Sequence, residues 1–108
     1  MRAPTNNDKE IEQSIEKFGL DNLTPRLINM EVTSFEDRAI QVMTLVRWQG
    51  SDNAYADHYC YYTILGSGAI HLAHQIHLNG MNTSLPRVGI RMVLNENYPN
   101  VRWYGRGP

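Results

Sequence analysis

"HYCYYTILGSGAIHLAHQIHL", His58 to Leu78, is the stretch whose reading decides the fold. A tyrosine-rich run enters Gly66-Ser67-Gly68, and the chain returns with Ile70, Leu72, Ile76 and Leu78 an even number of residues apart. A period of two is that of a strand, and a short glycine-rich link between two such runs is a hairpin turn. The returning run also carries His71, His74 and His77, and three histidines invite a metal. The spacing argues otherwise. On a strand His71 and His77 share a face about 20 Å apart, while His74 points to the other face with the aliphatic residues. A helix would bring the rings closer, but the turn and the two-residue period favour the strand. The expectation is therefore no metal site here, with His74 a core histidine kept neutral by one hydrogen bond.

The same period extends in both directions. "LINMEVTS" alternates Ile28, Met30 and Val32 with polar neighbours, and "FED" makes a tight turn. "RAIQVMTLVRW" places Ile40, Val42, Val46 and Trp48 on one face, with Gln41 and Arg47 on the other. Beyond the histidines, "PRVGIRMVL" groups Val88, Ile90, Met92 and Leu94, and "VRWY" reads as a last strand with Val101 and Trp103 in the core. Upstream, "KEIEQSIEKFG" changes period: Ile11, Ile15 and Phe18 fall on one helical face, Asn7 or Asp8 caps its start and Gly19 its end. "LDNLTP" reads as a linker. Six strands joined by hairpin-length loops predict an all-β fold, an antiparallel β-sandwich with one short N-terminal helix. Residues 1–24 form the loop and helix, and residues 25–108 the sandwich segment.

Composition narrows the function classes. The 108 residues hold 10 basic and 11 acidic side chains, a net charge of −1. No basic excess is present to grip a phosphate backbone, so nucleic acid is not an expected partner. No apolar run reaches the length of a membrane span, and residues 1–20 lack the apolar core of a signal peptide. Cys60 is the sole cysteine, so neither an internal disulfide nor a cysteine-based zinc site is expected. Neither a cytoplasmic nor a periplasmic location is decided by these features.

Four segments together resemble a known family. "RAPTNND", Arg2 to Asp8, is similar to the R-A-P-x-D-N-D segment that opens the small-chain, C-terminal β-sandwich domain of bacterial β-galactosidases of glycoside hydrolase family 2. "YTILGSGAI" resembles its strand–Gly-Ser-Gly–strand hairpin, "LPRVGIRMVL" its P-R-x-G strand, and "VRWYGRGP" its W-Y-G-x-G-P segment. The segments come in family order. Asn6-Asn7 stands where the family reads Asp-Asn, one charge fewer. The resemblance implies the first part of a larger super-sandwich, in a parent whose catalytic glutamates lie on an upstream barrel. It further implies that the chain is a segment of that enzyme, continuing beyond Pro108 into an E-N-Y-x-D-R stretch. The expected partners are the remainder of the parent and, through it, a β-galactoside. The magnesium and sodium typical of the family are expected to bind outside this segment, leaving it without a cofactor of its own.

The candidate site residues follow from both readings. By resemblance, Arg2, Asn7, Asp8 and Lys9 lie at the edge of the parent's substrate site, where the segment leads into a loop that shifts with substrate. Tyr59 and Tyr61 share a strand face and are candidates for stacking on sugar, which keeps open the alternative of a free-standing carbohydrate-binding sandwich. Glycoside hydrolysis needs two carboxylates at a set separation, one with a raised pKa. The acids here fall on the polar helix face, in turns or at strand ends, so no catalytic residue is expected. An edge strand, the tyrosine-rich one or "VRWY", is expected to drive self-association.

Overall fold

The structure of the chain, a computed structural model, describes residues 9–51, 53–82, 85 and 88–105. The first element, α1, is the helix Lys9–Phe18. Ile11, Ile15 and Phe18 give it one apolar stripe, and Gly19 at φ 63° ends it. The N–H of Leu20 donates to the Ile15 carbonyl at 2.9 Å and that of Gly19 to the Glu16 carbonyl at 3.3 Å, the Schellman pattern that satisfies the last free carbonyls. The expected caps Asn7 and Asp8 lie outside the described residues.

Four strands follow: β1 Thr24–Phe35, β2 Ala39–Gln49, β3 Tyr55–Leu65 and β4 Ile70–Asn79. They form one antiparallel sheet in the order β1-β2-β3-β4, so each pairs with its neighbour in sequence. Short turns set the register. Glu36, Asp37 and Arg38 link β1 to β2, with Glu36 and Asp37 left-handed at φ 43° and 57° and the turn closed by the Arg38 N–H on the Phe35 carbonyl at 2.9 Å. This mirror-image geometry matches the twist of the flanking strands. Between β3 and β4 the Gly68 N–H bonds the Leu65 carbonyl and the Leu65 N–H bonds the Ala69 carbonyl, both at 2.9 Å, with Gly68 at φ 86°. The all-β class and the short helix are as expected. β1, however, begins inside the expected linker, where Thr24 and Pro25 pair with Gln49 and Trp48. Proline is tolerated there because β1 is an edge strand and its nitrogen owes no bond to a further neighbour.

The ladder sorts the side chains onto two faces. One carries Leu27, Met30, Val32, Ile40, Val42, Val46, Trp48, Cys60, Tyr62, Ile64, Ile70, Leu72, Ile76 and Leu78, with His58 and His74 among them. The other carries Glu31, Thr33, Gln41, Arg47, Asp57, Tyr59, Tyr61, His71, Gln75 and His77. A bulge between Leu27 and Asn29 leaves Ile28 without a partner, so Leu27 rather than Ile28 joins Met30 and Val32 across from β2.

The apolar face is open. Leu27, Met30, Val32 and Ile70 are between 58% and 63% exposed, and the described core comprises Phe18, Ala54, Ala56 and Cys60. The radius of gyration is 17.4 Å, against about 13 Å for a compact domain of this length. Two of the six expected strands do not form. Residues 88–94 and 101–104 make no ladder, and Trp103 and Val101, expected in the core, are each 74% exposed. Alternation creates a strand's faces, but only a neighbouring strand supplies its backbone bonds. These segments lack that neighbour among the described residues. Trp48, the other expected core tryptophan, is half-buried. The tyrosine-rich strand, expected as an edge, is β3 and is paired on both sides; β1 and β4 are the edges.

The helix is fastened to one end of the sheet. The Ser51 N–H donates to the Phe18 carbonyl at 3.0 Å, and the Gly50 N–H to the Ala54 carbonyl at 2.9 Å. A Cβ on Gly50 would collide with the Phe18 carbonyl oxygen, so only glycine permits this approach. No helix among the described residues is long and apolar enough to cross a membrane.

Candidate functional site

The chemistry-bearing side chains concentrate on β3 and its neighbours, one group on each face. On the polar face Arg47 of β2 stands opposite Asp57 of β3. Its Nε and Nη2 donate to the two carboxylate oxygens at 2.8 Å each, a bidentate pair. The guanidinium also lies 3.9 Å from the centre of the Tyr55 ring. Hydrogen bonding to Arg47 holds the Asp57 carboxyl below its ordinary range and outweighs the opposing effect of desolvation. An acid held that firmly ionised is unsuited to donating a proton to a glycosidic oxygen.

Tyr59 and Tyr61 lie on this same face, both half-buried. The Tyr59 ring meets His77 edge to face, with centroids 5.6 Å apart. His77 also stands opposite Asp57, and His71 opposite Thr63, so these two histidines keep the expected common face. Gln41 Nε2 donates to Thr63 Oγ1 at 3.1 Å further along. Of the residues expected at the parent's substrate site, Lys9 opens α1. Arg2, Asn7 and Asp8 lie outside the described residues.

Two shallow clefts of about 300 Å³ indent the described surface. One lies by the turns and includes a single carboxylate, Asp37; the other lies under the end of α1 and has none. Neither brings two acids together, as glycoside hydrolysis requires.

The opposite face holds an arrangement that the sequence reading missed. His74 faces Cys60 across the β3–β4 pair, and His58 precedes Cys60 by two residues on the same face. His58 Nε2 and His74 Nδ1 are 2.9 Å apart, one donating to the other, and the two rings stack with centroids 5.2 Å apart. The expected single hydrogen bond of His74 is thus made to another histidine. Its Nε2 is buried without a partner. Cys60 is buried and its thiol completes the group: one ring nitrogen from each histidine and the Cys60 Sγ all lie within 4.8 Å of one another. Burial, with the neighbouring His74 adding, lowers the His58 pKa and favours the neutral ring. Side-chain hydrogen bonding with Cys60 is the main influence raising the Tyr62 phenol.

A signal for this cluster was present. A three-residue link at Gly66-Ser67-Gly68 closed by Leu65 and Ala69 sets every later pair, and counting outward brings Cys60 opposite His74. Along β4 alone His71, His74 and His77 cannot meet; across the hairpin His74 meets His58 of β3.

Residues 1–108 match the family model of the beta galactosidase small chain, and the chain belongs to that family. It is similar to a β-galactosidase of Psychromonas ingrahamii, 26% identical over 90 residues, which is 83% of this chain. The chain spans 9% of that relative's length. No solved structure matches it.

Proposed function

We propose that this member of the β-galactosidase small-chain family is a non-catalytic sheet segment of an enzyme that hydrolyses terminal β-galactosides, with a scaffolding role. The observation that carries the reading is the sheet itself. A four-stranded meander with one mixed face, which carries the charged side chains, and one open, largely apolar face is half of a layered β domain, and burying the apolar face requires a second layer. The remainder of the parent is the natural source of that layer. Within it, Arg2, Asn7, Asp8 and Lys9 contribute to the edge of the substrate site, and the β-galactoside reaches the chain only through the parent. The magnesium and sodium ions of the parent are held outside this segment. Among the described residues β1 and β4 are the edges of the sheet, and it is there that copies of the isolated chain would associate.

The alternative, a free-standing sugar-binding module using Tyr59 and Tyr61, is less well supported. Both rings are half-buried, and Tyr59 is already engaged by His77. The test uses the purified chain with a chromogenic galactoside, and no turnover is expected. Hydrolysis free of contaminating enzyme would overturn the non-catalytic reading. Galactose titrated into labelled chain separates the alternative: a saturable shift of the Tyr59 and Tyr61 signals would favour the sugar-binding module.

A further inference from the structure

We propose that His58, Cys60 and His74 form a binding site for a borderline or soft transition-metal ion, with zinc the ion best fitted. Three observations carry this, and none depends on the parent enzyme's activity. The first is convergence. Three residues of ligating type place one donor atom each within 4.8 Å of the others, supported by two adjacent, directly paired strands rather than by loops. A tetrahedral zinc with bonds of about 2.0–2.1 Å to nitrogen and about 2.3 Å to sulfur sets N···N edges of roughly 3.3 Å and N···S edges of roughly 3.5 Å. The two histidine nitrogens, at 2.9 Å, need to open only slightly. The widest separation in the group must close by about an ångström, within reach of side-chain rotation on a fixed backbone.

The second observation is unspent bonding capacity. His74 Nε2 is buried without a hydrogen-bond partner, although such groups are rarely left so. The hydrogen bond between the two rings satisfies one nitrogen of His74 and leaves the other idle. A metal on His58 Nε2 and His74 Nδ1 replaces that mutual bond and leaves His74 Nε2 to carry the ring's proton, so the idle nitrogen marks an incompletely satisfied ring and is not itself the ligand. The third observation is the donor chemistry. Two imidazoles and a thiolate suit zinc or copper(I), whereas magnesium, calcium and sodium prefer oxygen. The site therefore differs in kind from an oxygen-lined one. Three protein ligands leave a fourth position for water or an added ligand. Binding forms the zinc–sulfur bond and releases the Cys60 thiol proton to solvent, with no change of oxidation state.

Cobalt(II), which reports its own coordination, is the probe, with the full chain as the protein. Expected are one ion per chain, the strong visible bands of tetrahedral cobalt, a thiolate-to-cobalt charge-transfer band in the near ultraviolet, and displacement by zinc. Cys60→Ser removes the charge-transfer band. His58→Ala and His74→Ala each weaken zinc binding at least about tenfold, since loss of even an outer-sphere partner costs about 10–100-fold. The pair His71→Ala and His77→Ala, on the opposite face, leaves affinity unchanged. The weak spectrum of octahedral cobalt without charge transfer, or binding lost with His71 and His77, would overturn the proposal. Should a cluster variant fail to fold, alkylation of Cys60 in the unaltered chain decides. Stoichiometric zinc slows it if the site exists, and an unchanged rate rejects it.

Discussion

Replacing the stacked histidines, in the presence of a chelator, separates a structural pair from two independent side chains. His58 and His74 share a 2.9 Å hydrogen bond on the largely apolar face, with Ile76 opposite His58 and the Tyr62–Leu72 pair the next same-face step beyond Cys60 and His74. Removing one partner of such a bond costs about 1–3 kcal/mol when the survivor is buried and unsatisfied. Both rings are only half-buried, which places the expectation near the lower end. His74→Leu abolishes the orphaned Nε2 but strands His58, so it should cost about 1 kcal/mol. His58→Val leaves both His74 nitrogens without a protein partner and should cost somewhat more, about 1–2 kcal/mol. The double variant, apolar at both positions, should return to within about 0.5 kcal/mol of the original chain or exceed it, because no polar group is left unpaired.

Urea denaturation followed by circular dichroism measures all four proteins. It also carries a pH signature. The folded chain holds the His58 pKa below its ordinary value of 6.5, so near and below that value the unfolded chain binds more protons. The stability linked to His58 is therefore complete above the unfolded value and is lost as the pH falls through the depressed folded value. The midpoint of the original chain should drop between pH about 7.5 and about 5.5, and the double variant should be flatter across that window. Single variants that are neutral, a double that costs their sum, or an unaltered pH slope would refute the reasoning.

Three further outcomes are expected. Glu36→Asn with Asp37→Gly places residues suited to left-handed backbone in the β1–β2 turn and should stabilise the chain by about 1 kcal/mol, read as a higher urea midpoint. Gly50→Ala drives a Cβ into the Phe18 carbonyl and should release α1 from the sheet, seen as faster proteolysis within residues 9–18. Asp57 is held below the usual carboxylate range by Arg47, so its contribution is present above the unfolded value and lost as the pH falls through the folded one; Asp57→Asn should flatten the acid limb of the stability profile.

Much of the fold was legible because it rests on local chemistry. The hairpin turns announced themselves in Glu36-Asp37 and Gly66-Ser67-Gly68, and Gly19 stopped the helix where the apolar stripe ended. The two-residue alternation separated Ile40, Val42, Val46 and Trp48 from Arg47, and His74 from His71 and His77, as the ladder has them. Less legible was anything requiring a partner distant in sequence. The segments around Val88 to Leu94 and Val101 to Tyr104 alternate as strands do, yet pair with nothing among the described residues. The expected substrate-site residues Arg2, Asn7 and Asp8 drew on resemblance alone.

The sequence by itself determined the strand period, the turns, the helix and the polarity of each face, because these depend on residues within a few positions of one another. The tertiary structure alone decided which residues face each other across strands: that β3 is interior, that Arg47 grips Asp57, and that Cys60 meets His74. The physical reason lies in the ladder. Periodicity assigns a side chain to a face, while the hydrogen-bond register between strands assigns it its neighbours, and chemistry is done by neighbours.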